Sequence, residues 1–192
     1  MSLIPSFEIG LWNAWWFMIV FPLQWLAILI IPGHIVERTG DTQEIQTRQD
    51  RVVAFLANGL WVIATLCAIF LPFQVGTTWL WIGLLLFIAG LVILVLATMS
   101  IAGTPTDKPF TSGVYRFSRH PGYLSMILVY LGVSIATVSW LFLFVTIVTF
   151  FLLLYQAKKE EAYCCVKFGN AYREYMLRTA RWIGISKLEV NH

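Results

Sequence analysis

Apolar residues run along this chain in long unbroken blocks, without the alternation of a strand or the one-sided stripe of a soluble helix. Three blocks, Leu11 to Ile31, about Val52 to Phe73 and about Trp79 to Met99, each match the roughly 20 helical residues that cross a hydrocarbon layer of ~30 Å. Pro22 inside the first removes a backbone donor and predicts a kink there. Between the first two blocks, Gly33 to Arg51 is polar and reads as a solvated loop with room for a short surface helix. The short uncharged turn Gln74-Val75-Gly76-Thr77-Thr78 makes the second and third spans antiparallel neighbours. A fourth block, Gly122 to Ala157, has 36 residues, too many for one crossing, and Thr137-Val138-Ser139 interrupts it near the middle. It therefore predicts a tight helical hairpin, spans four and five. Its arms sit near the lower limit of roughly 17 residues, so they stand nearly upright or pack partly inside the protein. Span five is expected to run on as a helix through Lys158-Lys159-Glu160-Glu161 to Lys167. Phe168 to Ile185, with Tyr172, Tyr175 and Trp182 among Arg173, Arg178 and Arg181, then reads as an interfacial amphipathic helix.

Composition turns this pattern into a fold class. Of 192 residues, 59% are hydrophobic and 12% charged, whereas a soluble domain has about a quarter of its residues charged. The expectation is an all-α polytopic membrane protein of about five transmembrane helices. It forms one membrane domain over residues 1–192, with three spans in 1–100 and a loop, hairpin and amphipathic segment in 101–192. No Lys or Arg precedes the first block, which is longer than the roughly 7–15 residues of a signal-peptide core, so it is expected to be retained. Trp12, Trp15, Trp16 and Trp25 suit interfacial aromatic belts. Cys67 lies within a span, and Cys164-Cys165 lacks further Cys or His at ligand spacing, which predicts free thiols and no metal.

The net charge of +3 matters less than where the charges fall. Arg38, Arg48 and Arg51 follow span one, Lys108, Arg116 and Arg119 follow span three, and Lys158, Lys159, Lys167, Arg173, Arg178, Arg181 and Lys187 follow span five. All lie on one side of the membrane. The positive-inside rule then predicts an outside N-terminus, a cytoplasmic C-terminus and an odd number of spans.

One polar and aromatic island stands out, Gly113-Val114-Tyr115-Arg116-Phe117-Ser118-Arg119-His120-Pro121-Gly122-Tyr123. It opens the predicted hairpin, and Glu160-Glu161 closes it, so topology brings the two together at the cytoplasmic mouth. Gly103, Pro105, Pro109 and Gly113 forbid a continuous helix before the island and mark a built loop. Pro121 disfavours helical backbone at His120 and suits the first turn of span four, whose free N–H groups face the loop. Arg, His, a helix N-terminus, two carboxylates and several Tyr rings suit a ligand of mixed charge. S-adenosylmethionine is one, with a carboxylate for the cations, an ammonium and hydroxyls for the acceptors, and a sulfonium that aromatic faces tolerate. Each residue also has a plainer role open to it. Arg116 and Arg119 could be topology anchors, His120 a satisfied loop histidine, and Glu160-Glu161 a solvated run paired with Lys158-Lys159. The tyrosines, Tyr175 above all, could belong to an interfacial belt.

The run Gly113-x-Tyr115-x-x-x-Arg119-His120-Pro121-x-Tyr123, then Glu160-Glu161, then Phe168-Gly169-x-x-Tyr172-x-x-Tyr175, resembles the integral-membrane methyltransferases typified by isoprenylcysteine carboxyl methyltransferase, with phospholipid methyltransferases as relatives. The resemblance implies S-adenosylmethionine as cofactor in a cytoplasm-facing pocket. Tyr115, Arg119, His120, Pro121, Tyr123, Glu160, Glu161 and Tyr172 would be its contacts, with a lipophilic or lipid-linked acceptor entering from the bilayer. Four residues before the Glu pair, where those enzymes carry an Arg for the substrate carboxylate, this chain has Gln156, which would face the acceptor without a charge-assisted bidentate contact. A carboxylate acceptor needs no base. An amine or thiol must lose a proton, with Glu161 or His120 as the candidate catalytic groups. Membrane lipids and the acceptor are the expected partners, with no nucleic acid and no obligate protein partner. Two other classes stay open: an NADPH-dependent reductase of the sterol and steroid type, which shares an Arg-His motif, and a non-enzymatic membrane scaffold or transporter. The absence of ionisable residues within the spans speaks against an ion path.

Overall fold

A computed structural model describes residues 8–30, 47–105 and 108–184 of the chain. The expected solvated loop over residues 33–46, the belt position of the Trp25 side chain, Lys187 and the far end of the amphipathic segment at Ile185 lie outside the described residues. Among the described residues the regular structure is helical, apart from one isolated bridge between Asn13 and Pro72.

The first span is broken into α1 (Trp15–Met18) and α2 (Val20–Ile30). The break at Ile19 is the kink that Pro22 demands. A proline ring collides with the carbonyl four residues back, here Met18, where α1 ends. α3 (Arg48–Ile69) starts four residues before the apolar block. Thr47 and Asp50 form a capping box, the Thr47 hydroxyl accepting from the Asp50 N–H and the Asp50 carboxylate accepting from the Thr47 N–H at 2.8 Å. Arg48 to Arg51, expected in the loop, are therefore the first turn of this helix. α3 also stops at Ile69, short of the expected Phe73, because Pro72 would strike the Ala68 carbonyl and disfavours helical backbone at Leu71. The released strand of chain instead pairs with the N-terminal segment, Ala14 N–H donating to the Leu71 carbonyl at 2.9 Å and Phe73 N–H to that of Trp12 at 2.9 Å.

α4 (Thr78–Ala102) and α5 (Pro121–Ala136) form the closest helix pair. A Cβ on Gly83 would sit 2.6 Å from the Gly132 carbonyl, and one on Gly90 would sit 2.9 Å from that of Ser125, so the two backbones touch wherever glycine permits. At 16 residues α5 is about 24 Å long, too short to cross unaided. It is instead the buried middle of the bundle. Val129, Tyr130, Val133 and Ala136 join Phe17, Met18, Phe21, Ala64, Ala68, Leu71 and Phe142 in one apolar core. Thr137-Val138-Ser139 turns the chain as expected, with Val138 at φ 51° and the Ser139 hydroxyl capping the Phe142 N–H at 3.2 Å.

α6 (Trp140–Phe168) is about 43 Å long, so it crosses and continues beyond the apolar stretch that ends at Ala157. Among the described residues three helices, α3, α4 and α6, are long and apolar enough to span a membrane, and Trp15–Gln24, across α1 and the start of α2, and α5 are shorter apolar companions. The outer faces of α3 and α4 carry exposed Phe55, Ile63, Leu66, Trp81, Leu85 and Met99, as lipid contact requires. The protein is an all-α polytopic membrane protein.

The end of the chain departs from expectation. α7 (Asn170–Arg178) has nine residues in place of a long interfacial helix. It is followed by an irregular strap that folds back over the island, Arg119 N–H donating to the Ala180 carbonyl at 3.0 Å and Gly184 N–H to that of Phe117 at 3.1 Å. Tyr172 and Tyr175 face inward and are buried, because α7 docks on α6 and on the island rather than presenting its aromatic side outward.

Candidate functional site

The island forms a single 3-10 turn, Gly113–Arg116, followed by a short extended stretch into α5. Gly113 has φ 60°, and a Cβ there would meet the Ser100 hydroxyl at 2.3 Å, so glycine is required to tuck the turn against the end of α4. Tyr115 is buried, and its carbonyl accepts from the Tyr175 hydroxyl at 2.6 Å, which fixes α7 on the island. His120 is the N-cap residue of α5, and Pro121 occupies the first helical position.

Two adjacent carboxylates on α6 do different things. Glu161 is buried, and both its oxygens are taken. Oε1 lies 3.1 Å from Arg119 Nη2, 3.2 Å from His120 Nε2 and 2.9 Å from Arg181 Nε, and Oε2 accepts from Arg181 Nη2 at 2.6 Å. Burial alone would raise the Glu161 pKa, but the hydrogen bonds from His120 and Arg181 and the charges of Arg119 and Arg181 outweigh it and hold the carboxyl at about 2. Glu160 keeps 42% of its side chain exposed, accepts from the Tyr123 hydroxyl, and places Oε2 3.4 Å from His120 Nδ1. His120 therefore has a carboxylate on each ring nitrogen and is stacked on Tyr123 at 5.4 Å. Burial pulls its pKa down, but the hydrogen bonds and charges of Glu160 and Glu161 prevail and raise it above the usual imidazole value. The reason is geometric: a neutral ring has one donor for two acceptors, and the imidazolium satisfies both.

These groups border a cavity of about 310 Å³ at the island end of the bundle, within the usual size range of small-molecule sites. Of the residues expected to touch a cofactor, Tyr115, Arg119, His120, Tyr123, Glu160 and Tyr172 line it. Pro121 and Glu161 stand behind the wall, Pro121 starting α5 and Glu161 fixing Arg119 and His120. Gln156 is not on this cavity. It lines a neighbouring one of about 390 Å³ between α3 and α6, together with Thr47, Asp50, Tyr155 and Lys159. Arg116 is exposed.

The structure adds residues that the sequence pattern passed over. Arg181 supplies two of the bonds to Glu161, Trp182 packs 6.3 Å from the His120 ring, and Phe110, Cys164 and Lys167 stand in the cavity wall. Arg181 had the appearance of one more interfacial cation. Among the described residues no cluster of His, Cys, Asp and Glu suits a metal ion, and Cys67, Cys164 and Cys165 are free.

A charged, aromatic cavity at one end of a bundle of apolar helices, built from a hairpin entrance and its exit, has the make-up of a small-molecule site. The comparison with known families bears on its kind. Residues 78–171, from the start of α4 to the start of α7, match the phospholipid methyltransferase family, a likeness consistent with integral-membrane methyltransferases of the isoprenylcysteine carboxyl methyltransferase type. Among curated proteins and solved structures the chain finds no match. The matched stretch contains the island and both glutamates and leaves out α3 and the strap bearing Arg181.

Proposed function

We propose that the protein is an S-adenosylmethionine-dependent methyltransferase that modifies a lipophilic or lipid-linked acceptor, with its cofactor in the cavity lined by Arg119, His120 and Glu160. The observation that carries this reading is the charge layout of that cavity. Arg119 is fixed by Glu161 and by the Met176 carbonyl at 3.2 Å, yet its buried Nε finds no partner in the protein, which suits a ligand carboxylate. Glu160, half-exposed on the same cavity, suits an ammonium or hydroxyls. The rings of Tyr115, Tyr123 and Tyr172 offer faces to a sulfonium.

When bound, S-adenosylmethionine supplies an already activated methyl group, so the chain needs no nucleophile of its own. What the chain's residues do is hold, align and exclude water. Glu161 keeps Arg119 and His120 in position, and the strap bearing Arg181 and Trp182 closes over them. The distribution of Lys and Arg supports a cytoplasmic orientation of this end. An NADPH reductase would need a cationic pocket for phosphates, whereas the cations that line this cavity, Arg119, His120 and Lys167, share it with the carboxylate of Glu160, and Arg181 outside it is committed to Glu161 through two bonds.

Equilibrium binding to detergent-purified protein tests the reading, with labelled S-adenosylmethionine and NADPH in parallel. The expected result is saturable binding of S-adenosylmethionine, weakened at least about tenfold, or ~1.4 kcal/mol, by Arg119→Ala. Saturable binding of NADPH with none of S-adenosylmethionine would overturn it.

A further inference from the structure

We propose that the second cavity, between α3 and α6, is the acceptor subsite, and that it takes a lipophilic molecule whose head group carries no negative charge. The inference rests on the methyltransferase reading of the neighbouring cavity and adds to it a place and a chemistry for the other substrate.

The first ground is adjacency. The two cavities share Tyr123, Glu160 and Tyr163 as lining residues. Reacting atoms in a near-attack arrangement lie ~3–3.5 Å apart, so the acceptor's head group must pass between the shared side chains to meet the methyl group. Tyr123, Glu160 and Tyr163 form the boundary, and Glu160 faces both sides.

The second ground is charge. The acceptor cavity is lined by two carboxylates, Asp50 and Glu160, by the phenols of Tyr123, Tyr155 and Tyr163, and by the Gln156 amide. Its lining cation, Lys159, sits 3.2 Å from Asp50 Oδ1, which also accepts from the Tyr155 hydroxyl at 2.8 Å. A carboxylate head would meet two like charges and a cation already engaged, whereas an ammonium or a neutral head meets acceptors and aromatic faces.

The third ground is the way in. Tyr155 also lines an apolar groove of about 350 Å³ with Arg48, Gln49, Val52 and Val53. On the same helix Val52 and Phe55 are exposed, at 51% and 76%, on a surface that faces lipid in a membrane protein of this kind. The path runs from the bilayer along the first turns of α3, past Tyr155, to Glu160. Thr47, Asp50 and Ala54 lie outside the segment that matches the family, so this half of the site belongs to the part of the chain that the match leaves uncovered.

The test uses the full-length protein in detergent and, as probe, a long-chain alkyl amine bearing a diazirine. After irradiation, labelled peptides are expected to map to residues 47–54 and 155–166, and labelling is expected to be displaced by unlabelled alkyl amine but not by the carboxylate of equal chain length. Ala162 lines only the acceptor cavity. Ala162→Trp should reduce labelling at least about tenfold, ~1.4 kcal/mol, while S-adenosylmethionine affinity stays within about twofold. If Ala162→Trp loses cofactor affinity through misfolding, Ala54→Trp on the opposite wall gives the same readout. Labelling elsewhere, or labelling untouched by a cavity-filling variant that still binds S-adenosylmethionine, overturns the location. Equal displacement by the carboxylate overturns the head-group assignment. Wild-type protein that fails to bind S-adenosylmethionine refutes the methyltransferase reading itself, whatever the probe labels.

Discussion

Glu161→Gln is the substitution that best tests how this site is held together. It removes one negative charge from a position where Arg119 and Glu161 keep only 9% and 4% of their side chains exposed. Breaking a buried ion pair by neutralising one partner costs about 3–5 kcal/mol, since the other charge stays buried without compensation. A second route gives a similar figure. A carboxyl held at about 2 in place of its ordinary 4.5 corresponds, at ~1.36 kcal/mol per pH unit, to about 3 kcal/mol of stability. Glu161→Gln should therefore lower the melting temperature in detergent by about 6–12 °C, at ~2–4 °C per kcal/mol for a chain of this size. Arg181→Gln removes a cation with 29% of its side chain exposed and leaves Glu161 with Arg119 and His120. After discounting for solvent screening, that loss is about 1 kcal/mol, or ~2–4 °C. The order of the two variants carries the reasoning, and thermal unfolding of both at neutral pH reads it. A Glu161→Gln shift no larger than that of Arg181→Gln would falsify the view that Glu161 is the hub of this cluster.

Three further outcomes follow from the fold. Gly83→Ala places a methyl against the backbone of Gly132 and Ala136 and should cost about 1–3 kcal/mol by prising α4 from α5; Gly59→Ala in α3 meets open space and should be neutral or stabilising by up to ~1 kcal/mol. Matched melting curves separate the two. Val138 holds a β-branched side chain at φ 51°, so Val138→Gly should raise the melting temperature by relieving about 1 kcal/mol of backbone strain, and an unchanged or lower value counts against strain at the hairpin. Because the His120 pKa is raised on folding, its contribution is complete below about 6.5 and is lost as pH rises through the folded value. Stability should decline as the pH rises above about 6.5, and His120→Gln should flatten that decline.

The long-range geometry of the site was legible in the sequence because topology alone enforces it. A hairpin with Arg119-His120 at its entrance and Glu160-Glu161 at its exit must bring them together, and Thr137-Val138-Ser139 could only be the turn. The division of labour between Glu160 and Glu161 was not legible. Neighbours on a helix point about 100° apart, and which one meets the cavity depends on how α6 is rotated against α5, which distant packing decides. Arg181 was hidden for a related reason. Among Tyr172, Tyr175 and Trp182 it fits an interfacial pattern, and only the fold shows the strap returning to the island. The early start of α3 could have been read from Thr47 and Asp50 at capping-box spacing, but the polar composition around them outweighed it. The second cavity was hidden too, because Tyr155 and Gln156 on α6 line it together with Thr47 and Asp50 at the start of α3, about a hundred residues earlier in the chain, too far for spacing to join.

The return of the strap also imposes an order on how the protein is made. α6 can enter the bilayer while Arg181 is still within the ribosome, so α3, α4 and α6 can be in place before the cage around Glu161 is complete. Until then Glu161 has only Arg119 and His120, and the Arg119 N–H that later bonds the Ala180 carbonyl has no strap to hold it. Biogenesis is thus expected to separate into an insertion stage that needs only hydrophobic helices and a maturation stage in which a later-made segment, the strap, locks the site. A chain shortened before Ala180 is expected to reach the membrane as an inserted apoprotein with an unlocked site.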